Sequence, residues 1–230
     1  GKLTVHLPQR GEMVLQTALP EALLHLDSDR DRVTMLPESL QEFNTIAIGP
    51  GIGTEERTAV LLGRLLRTVD KPLLLDADAL NLLARNRELI SHLPPDTVLT
   101  PHPREFDRLF GESPNGYARL HKAAVTAVEH SICIVLKGAY TAVCTPQGQI
   151  YINPTGNPGM ATAGTGDVLT GVIAALMAQQ YDPVTAAVVG VFLHGSAGDL
   201  AAARSSEEGL VASDIVRELG RAFRMLQGDD

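Results

Sequence analysis

The run Asn153–Gly171, NPTGNPGMATAGTGDVLTG, places a cluster of glycines ahead of a carboxylate and an apolar stretch. Glycine admits φ > 0 and lets a ligand come close to backbone amides. After Gly164-Thr165-Gly166-Asp167, the residues Leu169, Val172, Ile173 and Leu176 recur at helical spacing, so the glycines fall where a helix begins. A helix start offers unpaired N–H groups and the positive end of the dipole, a site for phosphate or a developing anion. Asp167 then has two readings. It is a first-turn residue that only satisfies backbone donors, or it is a base beside an anion hole, the arrangement that phosphoryl transfer to a hydroxyl requires. The long glycine-rich approach favours the base.

Other chemistry-bearing residues close short apolar runs. Gly49–Gly53, GPGIG, is a tight turn or a place where a ligand meets backbone. Asp76 and Asp78 end an apolar run, where carboxylates are costly unless paired, metal-linked or solvated in a cleft; Asp78 is also a candidate cap for the next helix. His102 is a ligand contact or a capping side chain, with Pro103 well placed as a first helical residue. Glu105 is an ordinary first-turn residue or one that orients a hydrated Mg2+. Lys137, in KGAYT, meets a phosphate or snorkels to solvent. His194 lies in an apolar helical stretch and reads as a satisfied core histidine, while His6, His25, His92, His121 and His130 form no recognisable constellation. No Walker-type loop, hydrolase elbow or zinc spacing occurs, which leaves the GTGD loop as the phosphoryl-transfer candidate.

The elements that must hold these residues follow a strand–loop–helix rhythm. Strands are predicted at 45–48, 72–75, 97–99 and 132–136, with helices over about 54–67, through 81–83, around 105–109 and over 117–130. The strands are apolar at nearly every position, which predicts a parallel sheet covered on both faces. Residues 142–144 and 149–152 flank Pro146-Gln147-Gly148 as a hairpin, so an antiparallel edge is expected. Three helices follow, from Asp167, over about 183–203 and over 213–226, and Leu3-Thr4-Val5 is strand-like. The residues that close these runs, Gly49–Gly53, Asp76, Asp78, His102 and Lys137, sit at the carboxyl ends of strands, where open α/β sheets bind ligands. With no repeat or linker visible, residues 1–230 read as one domain.

Composition narrows the partners. A net charge of −8 argues against nucleic-acid or anionic-membrane binding, so any phosphate must be held by local geometry. No continuous apolar run approaches the roughly 18 residues that span a bilayer. Cys133 and Cys144 are too few for a disulfide framework; they could face each other on neighbouring strands, and a reduced buried pair in a cytoplasmic protein is the expectation.

Taken together, LTPHPREF, LLLDADALN, LKGAYT and GNPGMATAGTGDVLTG, with IGPGIG, FLHGSAGD and GLVASDIV, closely resemble the ribokinase-like NAD(P)H-hydrate dehydratases. The resemblance runs from the first residues to the last helix. It implies a three-layer α/β/α sandwich and repair of damaged nicotinamide cofactors. ADP or ATP with Mg2+ would phosphorylate the ring hydroxyl of (6S)-NADHX or NADPHX, and elimination of phosphate would restore the dihydronicotinamide. By position, Asp167 would be the base and the amides of Gly164, Thr165 and Gly166 would stabilise the transferring phosphoryl group. Gly53 and His102 would contact the hydrate; Lys137, Gly138, Ala139, Tyr140, Thr141 and Gly166 would contact the adenine nucleotide. Family members generally form homo-oligomers and in some cases continue an epimerase domain. They usually carry a strand, a glycine-rich loop and a helix before the segment that matches Gly1–Val5, and these elements are expected to be missing here. GTGD is shared with small-molecule kinases of the same fold, so a vitamin-precursor kinase is the rival reading, and a non-catalytic nucleotide-binding module the third.

Overall fold

Strands that are apolar at every position need cover on both faces, and the computed structural model, which describes residues 1–228, supplies it. The chain opens with β1 (Thr4–Leu7), α1 (Glu12–Ala18) and β2 (Leu23–Leu26), which pair as a separate two-stranded parallel sheet. The principal sheet follows in the order β3 (Ile46–Ile48), β4 (Leu73–Leu75), β5 (Val98–Leu99), β6 (Cys133–Leu136), β7 (Ala142–Cys144) and β8 (Ile150–Ile152). Strands β3 to β6 are parallel, and β7 and β8 are antiparallel additions at the edge.

Alternation along each strand divides the core in two. Leu73, Leu75, Leu99 and Ile134 pack with α2 (Glu56–Thr68), α3 (Ala77–Arg85), α4 (Pro103–Phe110) and α5 (Gly116–His130). Leu74, Val98, Cys133 and Val135 pack on the other face with α6 (Thr165–Ala178), α7 (Pro183–Arg204) and α8 (Ala212–Gln227). The result is the α/β/α sandwich that the sequence predicts. The same alternation corrects the idea that the cysteines face one another. Cys144 is in register with Ile134, so it points to the opposite face from Cys133. Both are free and buried, and burial raises both thiol pKa values, that of Cys144 to about 11.

Helix α7 is the one helix among the described residues long and apolar enough to cross a membrane by length and composition. Half of that apolar window is buried inside the protein, between α6 and α8, so α7 is a core helix here.

Candidate active site

The glycine-rich run reaches α6 by crossing the small-residue face of α7. The Thr155 hydroxyl donates to the Phe192 carbonyl at 3.1 Å, and the Asp199 carboxylate accepts from the Gly156 amide and the Asn157 side chain, each at 2.9 Å. A Cβ on Gly195 would come within 2.8 Å of the Thr155 backbone, and one on Gly198 would run into the Met160 side chain. His194, from the same helix, is neutral: its Nε2–H donates to the Thr165 carbonyl at 2.9 Å, and burial pulls its pKa down to about 4. FLHGSAGD is therefore the platform for the loop. The sequence offered glycines and one aspartate along an apolar helix as the signal, but their partners lie some 40 residues away in the chain. Gly195→Ala is expected to destabilise the protein by about 1–3 kcal/mol, the cost of overpacking a filled contact. Denaturant unfolding measures it, and an unchanged midpoint would contradict the close packing.

Gly164 turns into α6 with φ +87°, a left-handed conformation that glycine adopts without penalty. The amides of Thr165, Gly166 and Asp167 donate to no acceptor among the described residues, so a run of first-turn donors faces the cleft. The Thr165 hydroxyl is spent internally, on the carbonyls of Met160 and Thr162. Asp167 makes none of the contacts of a capping side chain. Its carboxylate accepts no backbone hydrogen bond, as a cap would, and it stands exposed at the third position of the helix. Partial desolvation at the cleft raises its pKa, the charge of Asp76 raises it further, and Lys137 opposes both.

Beneath Gly166 lies a buried ion pair. Asp76 ends β4 with only 1% of its surface exposed, and Lys137 ends β6 two strands away. The Lys137 ammonium meets Asp76 Oδ1 at 2.9 Å, and the Thr170 hydroxyl donates to Asp76 Oδ2 at 2.7 Å. A Cβ on Gly166 would lie 3.4 Å from the Lys137 ammonium, so the lysine head sits directly against the helix start. Of the readings open for Asp76, pairing is the one realised, with Lys137 as the partner.

Ala77, with φ +47°, makes the two neighbouring aspartates diverge. A non-glycine residue in that region is strained. Asp76 turns inward to Lys137, while Asp78 Oδ2 accepts the Gly53 amide at 3.0 Å. Asp78 thus ties the GPGIG turn to α3 and does not cap that helix. Gly49, with φ +141°, sits so close to the Asp76 carbonyl that a Cβ would overlap it.

His102 and Glu105 form a reciprocal capping box on α4. His102 Nδ1 accepts from the amides of Arg104 and Glu105 at 3.1 and 3.3 Å, and Glu105 Oε2 accepts the His102 amide at 2.8 Å. An accepting Nδ1 leaves the proton on Nε2, which lies 3.4 Å from Glu105 Oε1. Burial lowers the His102 pKa, Glu105 and Asp76 raise it, and Lys137 and Arg108 lower it. The histidine is half-exposed at the cleft with Nδ1 held as an acceptor, while the buried Glu105 carboxylate is committed to its cap.

The structure brings Asp167, Gly164, Thr165, Gly166, Lys137, Asp76 and His102 to one end of the parallel strands, with Gly53 joined through Asp78. Gly138 and Thr141 close a turn on each other after β6, and Tyr140 projects into solvent with Ala139 beside it, an open ledge next to the lysine. Among the described residues no three acidic, histidine or cysteine side chains converge as a metal cage.

The chain is similar to several characterised proteins. The family described as NAD(P)H-hydrate dehydratase matches residues 1–221. A bifunctional NAD(P)H-hydrate repair enzyme of Moorella thermoacetica is 44% identical over 93% of this chain and 41% of its own length. An ADP-dependent (S)-NAD(P)H-hydrate dehydratase of Neisseria meningitidis is 39% identical over 81% of this chain and 64% of its own. The crystal structure of the ADP/ATP-dependent NAD(P)H-hydrate dehydratase of Bacillus subtilis, co-crystallised with ATP and Mg2+, superposes with a TM-score of 0.82 at 32% identity, covering 98% of this chain and 81% of that one. The chain spans about two fifths of the length of the bifunctional relatives.

Proposed function

The chain belongs to the NAD(P)H-hydrate dehydratase family, and from that premise we propose that it repairs (6S)-NADHX and NADPHX by phosphorylating the ring hydroxyl and eliminating phosphate. The observation that carries the reading is the uncommitted Asp167 carboxylate, set among free first-turn amides and beside the Asp76–Lys137 pair. Asp167 takes the proton of the substrate hydroxyl as its oxygen bonds to the terminal phosphorus of ADP or ATP, and the P–O bond to the remaining nucleotide breaks. The amides of Gly164 to Gly166 face the charge that builds on the transferred group. The new phosphate ester leaves the ring carbon with its bonding electrons, and loss of a ring proton restores the dihydronicotinamide. Hydroxide would leave far less readily.

His102 and Gly53 bind the hydrate. Lys137 and the 138–141 turn receive the nucleotide, with the ammonium close to Gly166. With no protein cage of three metal-binding side chains among the described residues, the site fits a Mg2+ that arrives on the nucleotide phosphates and keeps its waters. The ion would neutralise phosphate charge; Glu105, already engaged by its cap, would touch it only through water. The bifunctional relatives support an association with a second repair activity, the epimerase that the resemblance implies.

The direct assay mixes the purified protein with hydrated NADH, Mg2+ and ADP or ATP and follows the near-ultraviolet absorbance of NADH. Recovery of that absorbance with release of inorganic phosphate is the expected result. A stable phosphorylated alcohol instead would reassign the protein to the vitamin-precursor kinases of this fold.

A further inference from the structure

An open groove of about 620 Å³ lies beside the proposed hydrate site, lined by Thr54, Asp78, Asn81, Ala84, Arg85 and Arg108. It starts at the hydrogen bond between Gly53 and Asp78 and runs between α3 and α4, which pack against each other. Two arginines face it in a chain whose net charge is −8. Neither is neutralised: among the described residues no carboxylate forms a salt bridge with Arg85 or Arg108.

Neutral oxygens hold the guanidinium groups in place instead. Arg85 Nη1 donates to the Thr54 carbonyl at 3.1 Å, and Arg108 Nη1 donates to Asn81 Oδ1 at 2.6 Å. One nitrogen of each fork is used, and the rest remain available with the full charge. The one acid in the lining, Asp78, already accepts the Gly53 amide. Planar forks fixed by neutral partners suit a phosphate, which they bind through paired hydrogen bonds.

The position of the groove selects which phosphate. The nucleotide donor belongs at the α6 amides and Lys137, the side toward which Asp76 turns. The groove opens on the other side, toward which Asp78 turns. A dinucleotide hydrate reacts at one ring and must carry its remaining phosphates away from that centre. Contacts to such remote groups that are equally strong in the ground and transition states lower KM without changing kcat.

We propose that this groove is the subsite for the phosphate-bearing adenosine half of the hydrated dinucleotide, with Arg85 and Arg108 determining its recognition. The inference rests on the dehydratase reading.

The test compares wild type with Arg85→Ala, Arg108→Ala and the double variant, using NADHX and NADPHX as substrates and titrating the product NADPH by its fluorescence. Each single variant is expected to raise KM for the hydrate about tenfold, in line with loss of a charge-assisted hydrogen bond. The Kd for NADPH should weaken in parallel, while kcat, KM for the adenine nucleotide and the melting temperature stay unchanged, since both arginines are exposed. A loss confined to NADPHX assigns the groove to the 2′-phosphate; an equal loss on both substrates assigns it to the shared pyrophosphate. Unchanged KM and Kd in the double variant would overturn the proposal, as would a loss confined to the nucleotide donor. Wild type that dehydrates neither hydrate would instead count against the functional reading, and the NADPH titration would still read the groove.

Discussion

Asp167→Asn is expected to lower turnover by about 10²–10⁴-fold, the contribution of a positioned general base, with the affinity for the adenine nucleotide largely intact. The amide keeps the shape of the carboxylate but cannot take a proton. Because Asp167 accepts no backbone hydrogen bond and stands exposed, the replacement removes no cap and opens no cavity. Its folded-state pKa is raised, first by partial desolvation at the cleft and then by Asp76. A raised carboxylate pKa means that ionisation is harder in the folded protein than in the unfolded chain, so stability is lost as pH rises through that value. At neutral pH the asparagine variant should therefore melt no lower than wild type. The same sign shapes the activity of wild type, whose rate should fall on acidification with a midpoint raised from the ordinary aspartate value. Normal turnover in Asp167→Asn would return this residue to an ordinary first-turn role.

Lys137→Met carries the largest expected stability effect. It removes the counter-ion of Asp76, whose side chain is 1% exposed, and leaves only the Thr170 hydroxyl as a partner. Breaking a buried pair on one side typically costs about 3–5 kcal/mol. The lysine keeps 21% of its side-chain surface, so the lower part of that range applies. Asp76→Asn combined with Lys137→Met should recover much of the loss, because no unpaired buried charge remains. Nucleotide binding should not recover in the double variant, since the ammonium beside Gly166 is still absent. Denaturant unfolding and a nucleotide titration on the four proteins of this cycle separate the two roles. Additive stability losses in the cycle would show that the pair is not coupled.

The elements were readable because their signals are local. Three consecutive leucines at 73–75 demand a strand buried on both faces, and Pro183 at a helix start sets the following boundary within one turn. The strand-end residues were legible too, since a carboxylate or a lysine after a buried strand is conspicuous. Their partners were not. Asp76 and Lys137 are 61 residues apart, and Asp76 and Thr170 are 94 apart. Asp78 could have capped α3, yet the left-handed Ala77 turns it to Gly53. The two cysteines were close in strand order, but a one-residue offset in register sends them to opposite faces of the sheet.

By itself, the sequence determined the α/β/α order and the strand ends at which the chemistry gathers. It also set the glycine-rich approach to α6, through periodicity and the conformational reach of glycine. Tertiary structure alone decided what each polar group does there. It left Asp167 without a backbone partner, paired Lys137 with the buried Asp76, committed Glu105 to its cap, and gave FLHGSAGD the task of holding the loop. Hydrogen bonds and charge pairs act over a few ångströms in space, and only the folded chain brings residues that are distant in sequence within that range.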